Sequence, residues 1–270
     1  METTQVSFTA KDVMNLRQKT GLGMMDCKEA LAENGGDPAK AEEWLRAKMK
    51  GKMDSRTERA TAQGRVAVAI AGSKAALVEV QTETDFTANN ESFVSMTELV
   101  ATAALKMPAG AVAPSDEMNK LVDNVRITTG ENMKIARGHV MEGGSFGSYI
   151  HHDGKRAALV QIDGAADQAL LKSICQHIVA HVPPPIAVDQ SSVPSATLDS
   201  IRKDAIADAR AAGKNDEIAQ KIAEGKVRKY LEEVTLLNQK SVQDDSKTIK
   251  DLLPTGVTIK SFVRYTLGAE

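Results

Sequence analysis

Aromatic side chains are scarce in this chain of 270 residues: one Trp, three Tyr and five Phe. A core must therefore rest on Ala, Val, Ile, Leu and Met. Cysteine is scarcer still, with Cys27 and Cys175 far apart, which excludes a disulfide framework and suits a reducing compartment. No charge of one sign dominates. The formal net charge is -2, which argues against nucleic acid as the main partner, because neutralising phosphate takes clustered Lys and Arg. No apolar run is long enough to span a membrane, and residues 1–9 lack the apolar stretch of a secretory signal. A cytoplasmic protein is expected, and the Met1 start suits a free-living bacterium better than a processed organelle protein. Hydrophobic content of 42% and charged content of 26% are those of a globular protein, and the length allows two or three modules.

The apparatus of covalent chemistry is also missing. There is no nucleophile elbow, no phosphate loop and no Cys-His pairing signature. His177 and His181 have the i, i+4 spacing of two metal ligands, but no Glu stands between them and no third ligand follows at a recognised spacing. They read as histidines on a polar helix face. His151-His152-Asp153 resembles a triad only in composition. Cys175 sits beside an apolar stripe and reads as core filler. With no cofactor and no metal implied, a binding protein is expected rather than an enzyme. Two rivals stand beside it: an adaptor built on the N-terminal helices, and a metal-dependent hydrolase using His151, His177 and His181.

What the chain does contain is clear punctuation. Thr9 and Asp12 form a capping pair, with Phe8 and Val13 spaced as a staple, and Gly21 stops the helix that follows. Met24 to Glu33 is a second helix. Asp37-Pro38 opens a third, with Ala41, Trp44, Leu45 and Lys48 along its stripe. Three short helices make a small module, marginal alone at this size. Residues 46–59 are rich in Lys and Arg and read as a solvated linker or helix tail. Gly64 to Thr82 is a hairpin turning at Gly72-Ser73-Lys74. The stretch Glu83-Thr84-Asp85-Phe86-Thr87-Ala88-Asn89-Asn90 reads as a loop. Burial is the ordinary fate of an aromatic, so from the residues alone Phe86 is expected to fold back onto the core while Asp85 caps a turn.

A helix follows with Phe93, Met96, Leu99, Val100, Ala103 and Met107 on its stripe, and Ser115 caps another. Strand-like segments at 133–141, 145–150 and 156–162 turn at Asp153-Gly154. A helix through Leu170, Leu171, Ile174, Ile178 and Val182 stops at Pro183-Pro184-Pro185. The theme of a hairpin then a helix thus occurs twice, as two α+β lobes on antiparallel sheets. Residues 195–212 and 216–234 form an antiparallel helical hairpin, Leu198, Ile201, Ala205 and Ala209 facing Ile218, Ile222, Tyr230 and Leu231. Ser246 caps a short helix, and residues 257–267 alternate as a last strand.

The run from Leu16 to Leu31, LRQKTGLGMMDCKEAL, closely resembles the N-terminal signature of the translation elongation factor Ts family. Thr84 to Asn89 resembles its second signature. Gly130-Glu131-Asn132, Gly147-Ser148-Tyr149-Ile150-His151 and Ile222-Ala223-Glu224-Gly225-Lys226 follow in the family's order, so the likeness spans essentially the whole chain. The resemblance implies an α+β fold: an N-terminal three-helix ubiquitin-associated-like module at 1–55, then a two-lobed antiparallel-sheet core with a protruding helical hairpin. The lobes are expected at 56–144 and at 145–185 with 235–270, and the hairpin at 186–234. It implies a guanine-nucleotide exchange factor that binds elongation factor Tu, GDP-bound and nucleotide-free, in a 1:1 or 2:2 complex. Asp85 and Phe86, flanked by Thr84 and Thr87 and joined by His151, would disturb the partner's magnesium and nucleotide site. Arg17, Met24, Met25 and Lys28 would dock the N-terminal module, with one of the two methionines exposed. Family members often carry Val where Thr87 stands and a charged residue where Asn89 stands, which should alter packing more than mechanism. Some also extend into a C-terminal helix, a contact expected to be missing here.

Overall fold

The computed structural model describes residues 8–269. The chain divides into two units. One holds the chain up to residue 67, then 78–138 and from 267 on; the other holds 68–77 and 139–266.

The first unit opens with three helices, α1 (Ala10–Thr20), α2 (Met24–Glu33) and α3 (Pro38–Asp54). The start of α1 is set by the reciprocal Thr9–Asp12 capping box and its end by Gly21 in the left-handed region. Val13, Leu16, Leu22, Cys27, Ala30, Leu31, Ala41 and Leu45 form one apolar cluster, with Phe8 and Trp44 packed against it. Lys48 lies over the Trp44 ring, 4.8 Å from its centroid. Of the two readings of the basic stretch 46–59, the helix tail holds for its first part. Helix α3 runs on to Asp54 and buries Met49 and Met53. Ile127, from α6 (Asp116–Thr129), joins the same cluster, so the three helices share their core with a later element.

A four-stranded sheet has the order β1 (Gln63–Ala71), β2 (Lys74–Thr82), β4 (Met133–Glu142), β3 (Gly110–Ala111). Interior strand β2 is buried from Ala75 to Thr82. Its buried Glu79 is satisfied by Arg137 at 2.8 Å, the Gln81 amide at 2.7 Å and the Gly268 N–H at 3.1 Å. After β2 come α4 (Asp85–Ala88) and α5 (Glu91–Ala104), the latter capped by Asn90. Helix α5 buries Phe93, Met96 and Val100, whereas Leu99, expected on that stripe, is 53% exposed.

In the second unit β5 (Ser145–Ile150), β6 (Arg156–Asp163) and β7 (Thr258–Thr266) form an antiparallel sheet with β6 central. Helix α7 (Gln168–Ala180) buries Leu171, Ile174, Cys175 and Ile178 against Ala158, Val160 and Ile162. Gly147 permits this approach, because a Cβ there would stand 2.3 Å from the Leu171 Cβ. Burial pushes the Cys175 thiol up to about 12, as expected of core filler. Helices α8 (Ser195–Ala211) and α9 (Asp216–Val234) pack on each other. Their seam is made of Leu198, Ala205 and Ala209 with Ala219, Ala223, Val227 and Leu231. Ile218 and Ile222, expected in this seam, are instead 43% and 36% exposed. The small alanines win the seam because they let the two backbones come close. The short helix α10 (Ile249–Leu252) is capped by Thr248 and Asp251, not by Ser246.

His177 does not lie on a polar face. It is fully buried, with Nε2 2.9 Å from the Gln239 Oε1 and Nδ1 accepting from the Val242 N–H at 3.3 Å. Both ring nitrogens are therefore occupied, which removes His177 from the hydrolase reading. Burial lowers its pKa, against a smaller opposing effect of the Gln239 hydrogen bond.

Candidate functional site

The stretch after β2 is not a loop. Thr84 caps the four-residue helix α4 by accepting from the Thr87 N–H at 3.3 Å. The one-turn helix divides into two faces: Asp85 and Phe86 are exposed, while Thr87 and Ala88 are buried. Phe86 is 85% exposed. The expectation that it folds back is overturned, as is a capping role for Asp85, which Thr84 takes. A phenyl ring so exposed gains nothing from folding and is an open contact surface.

Beneath this tip lies a residue whose part the sequence did not disclose. Glu131, half-buried between α6 and β4, accepts four hydrogen bonds. Its Oε2 takes the Thr82 hydroxyl at 2.9 Å and the Thr84 N–H at 3.1 Å. Its Oε1 takes the hydroxyls of Thr84 at 2.6 Å and Thr87 at 2.7 Å. Burial alone would raise this carboxyl, but the hydroxyls of Thr84, Thr87 and Thr82 and the Thr84 N–H outweigh it and hold it below the usual carboxylate range. The next residue continues the attachment. Asn132 donates its N–H to Glu83 at 2.6 Å and its side-chain amide to the carbonyls of Thr57 and Arg59 at 3.0 and 2.8 Å. Asn89 closes the other side, donating to the Asp85 carbonyl at 2.9 Å and accepting from Arg65 at 3.0 Å. Thr84 and Thr87 therefore support the tip, while Asp85 and Phe86 present it.

The profile match to the family described as Elongation factor TS covers residues 83–269. An elongation factor Ts from Thiobacillus denitrificans is 41% identical over 272 residues, covering 97% of this chain and 92% of the relative. Another from an Azoarcus species is 41% identical over 97% of this chain and 91% of its own, and one from Maricaulis maris is 39% identical over 97% and 92%. The chain belongs to the elongation factor Ts family. As a member it is an elongation factor of protein biosynthesis, of the nucleotide-exchange kind. The region that matches the elongation factor Ts profile begins at Glu83, so it takes in the tip, the Glu131 junction and the sheet of the second unit.

Within that family frame the other expected residues have these positions. Arg17, in the last turn of α1, and Lys28, on α2, are exposed. Met24 and Met25 begin α2 and are both exposed, at 46% and 73%, rather than one of them. Gly21 is left-handed and Gly23 is extended, and in the first turn of α2 only Cys27 is buried. His151 belongs to the second unit, at the turn after β5. Its Nδ1 is 3.0 Å from the Tyr149 hydroxyl, and its ring lies 4.2 Å from that of His152. The adjacent Asp153 spends its carboxylate on the Lys155 N–H and on Arg156, at 2.9 and 3.0 Å, so it is not the third member of a triad.

Proposed function

We propose that the protein binds elongation factor Tu and promotes release of GDP, with Asp85 and Phe86 as the group that disturbs the partner's magnesium and nucleotide site. The observation that carries this reading is the pairing of a fully presented Phe86 with a rigidly held base. A wedge acts only if it cannot yield. Displacing groups that hold magnesium removes the largest charge neutralising the diphosphate, and the nucleotide then leaves faster. Factor and nucleotide must weaken each other reciprocally, so nucleotide rebinding expels the factor by the same linkage. Exposed Arg17, Met24, Met25 and Lys28 supply a docking surface on the N-terminal module at 1–55, whose resemblance is to ubiquitin-associated domains. The lobes at 56–144 and at 145–185 with 235–270 supply Thr84, Asp85, Phe86, Thr87 and His151. The α8–α9 pair, within 186–234, is the protruding hairpin. The protein works in the cytoplasm and makes no covalent bond.

The test loads elongation factor Tu with a fluorescent GDP, chases with unlabelled GDP, and follows release by stopped flow. Wild type is expected to accelerate release by orders of magnitude, and the Asp85→Ala, Phe86→Ala double variant to lose much of that. Acceleration by both alike would leave the function and remove the tip as its cause. Binding without acceleration would favour the adaptor reading.

A further inference from the structure

The geometry points to Glu131 as the positioning residue of the Asp85–Phe86 tip: one carboxylate that ties the end of β2, the cap of α4 and the first turn of α4 to the junction between α6 and β4. The inference rests on the exchange reading above and adds to it the residue that makes the wedge stiff.

A four-residue helix has no stability of its own, because nucleation is costly and too few hydrogen bonds follow. Phe86 contributes no burial either. Something else must hold α4, and Glu131 has the required chemistry. A carboxylate offers two acceptor oxygens with about four lone-pair sites. Each Glu131 oxygen takes two donors, and the four donors come from three residues that bracket the tip on both sides in sequence. Hydrogen bonds to an ionised acceptor are roughly twice as strong as neutral ones. The Thr84 hydroxyl is used twice, donating to Glu131 and accepting from the Thr87 N–H, so the cap and the latch are one network.

The junction that carries Glu131 is itself anchored. Gly130 adopts φ 74° and its N–H closes α6 on the Arg126 carbonyl at 2.8 Å. Its own carbonyl accepts from Arg56 at 2.9 Å, and Asn132 on the far side makes the three bonds described above. The load path therefore runs from the exposed ring through two threonines into a connection hydrogen-bonded on both sides. Nothing in this arrangement places Glu131 against the partner; it acts through Asp85 and Phe86.

The experiment is a double-mutant cycle in the GDP-release assay. Glu131→Ala is expected to cut the saturating release rate at least about tenfold. Its half-saturating concentration should move by less than about threefold, because other surfaces still dock. Glu131→Gln, whose amide the hydroxyls can turn to meet, should fall between Ala and wild type. In the Asp85→Ala, Phe86→Ala background, Glu131→Ala should cost nothing further. A further tenfold loss there, or wild-type rates for Glu131→Ala, would overturn the inference. Should Glu131→Ala fail to fold, Thr84→Ser against Thr84→Val takes its place, with Ser retaining activity and Val losing it. A partner-free readout separates this idea from the exchange reading. With Phe86→Trp as reporter in a Trp44→Phe chain, time-resolved anisotropy should show a looser tip on adding Glu131→Gln. A looser tip in a protein that does not accelerate release would sink the exchange reading and keep the latch. Unchanged anisotropy would sink the latch.

Discussion

Two phenylalanines seven positions apart show how position, and not residue type, decides what a side chain contributes. Phe93 is fully buried and Phe86 is 85% exposed. Phe93→Ala should cost about 3–5 kcal/mol of stability. Phe86→Ala should leave the melting temperature within about a degree or two, since surface changes usually fall within ±0.5 kcal/mol, yet lower GDP release by about tenfold or more. Calorimetry and stopped flow on the same preparations decide this; a large drop in melting temperature for Phe86→Ala would contradict the exposed tip. Glu131 adds a pH signature. Its carboxyl is held below the ordinary 4.5, so its stabilising effect is complete above 4.5 and is lost as pH falls through the lower, folded value. The difference in melting temperature between wild type and Glu131→Gln should be constant from pH 7 down to that point and shrink below it. His177 works at a higher pH. Burial lowers its pKa, so stability should decline as pH falls below 6.5, with His139, lowered by the same cause, acting in the same direction. A His177→Gln variant should show a shallower decline.

At the scale of elements, close approach is the theme. Helix α7 lies on β5 through Gly147, where an added Cβ would meet the Leu171 Cβ at 2.3 Å and its backbone at 3.2 Å. Backbone cannot rotate away as a side-chain tip can. Gly147→Ala is therefore expected to destabilise by about 1–3 kcal/mol through overpacking, read as an earlier midpoint in urea with an unchanged slope. An unchanged midpoint would mean that α7 can slide. The α8–α9 seam obeys the same rule with alanines, which is why its larger Ile218 and Ile222 face outward. Apolar spacing reveals that a helix has a face. It does not reveal which of two nearly equivalent faces is covered, because that depends on how near the neighbour's backbone can come.

For the whole molecule, the proposed function rests on a presented tip and on exposed side chains rather than on a metal or a membrane anchor. No described helix is long and apolar enough to cross a membrane. Among the described residues no group of three His, Cys, Asp or Glu is placed to hold a metal ion. Treatment with EDTA should accordingly leave the melting temperature unchanged, and a fall of several degrees would revive the metal-dependent reading. Much of the architecture was legible beforehand, because its signals are local. The Thr9–Asp12 box, the Gly21 stop and the Asp37-Pro38 start each depend on neighbours in sequence; the alternation expected for residues 257–267 is broken by a register shift, which puts Phe262 with Val257 and Ile259 on the core. Signature runs around Leu16–Leu31 and Thr84–Asn89 likewise carried the family without any coordinates. What stayed hidden depends on residues far apart in sequence. Glu131 stands 44 to 49 positions from its threonine partners. Whether Phe86 turns in or out depends on which side of a one-turn helix the rest of the chain occupies. By itself the sequence determined where elements begin and end, since caps and glycine stops act within a few residues. Only the tertiary structure decided which aromatic is presented and which carboxylate holds it, since burial and a shared hydrogen-bond network exist only once distant segments meet.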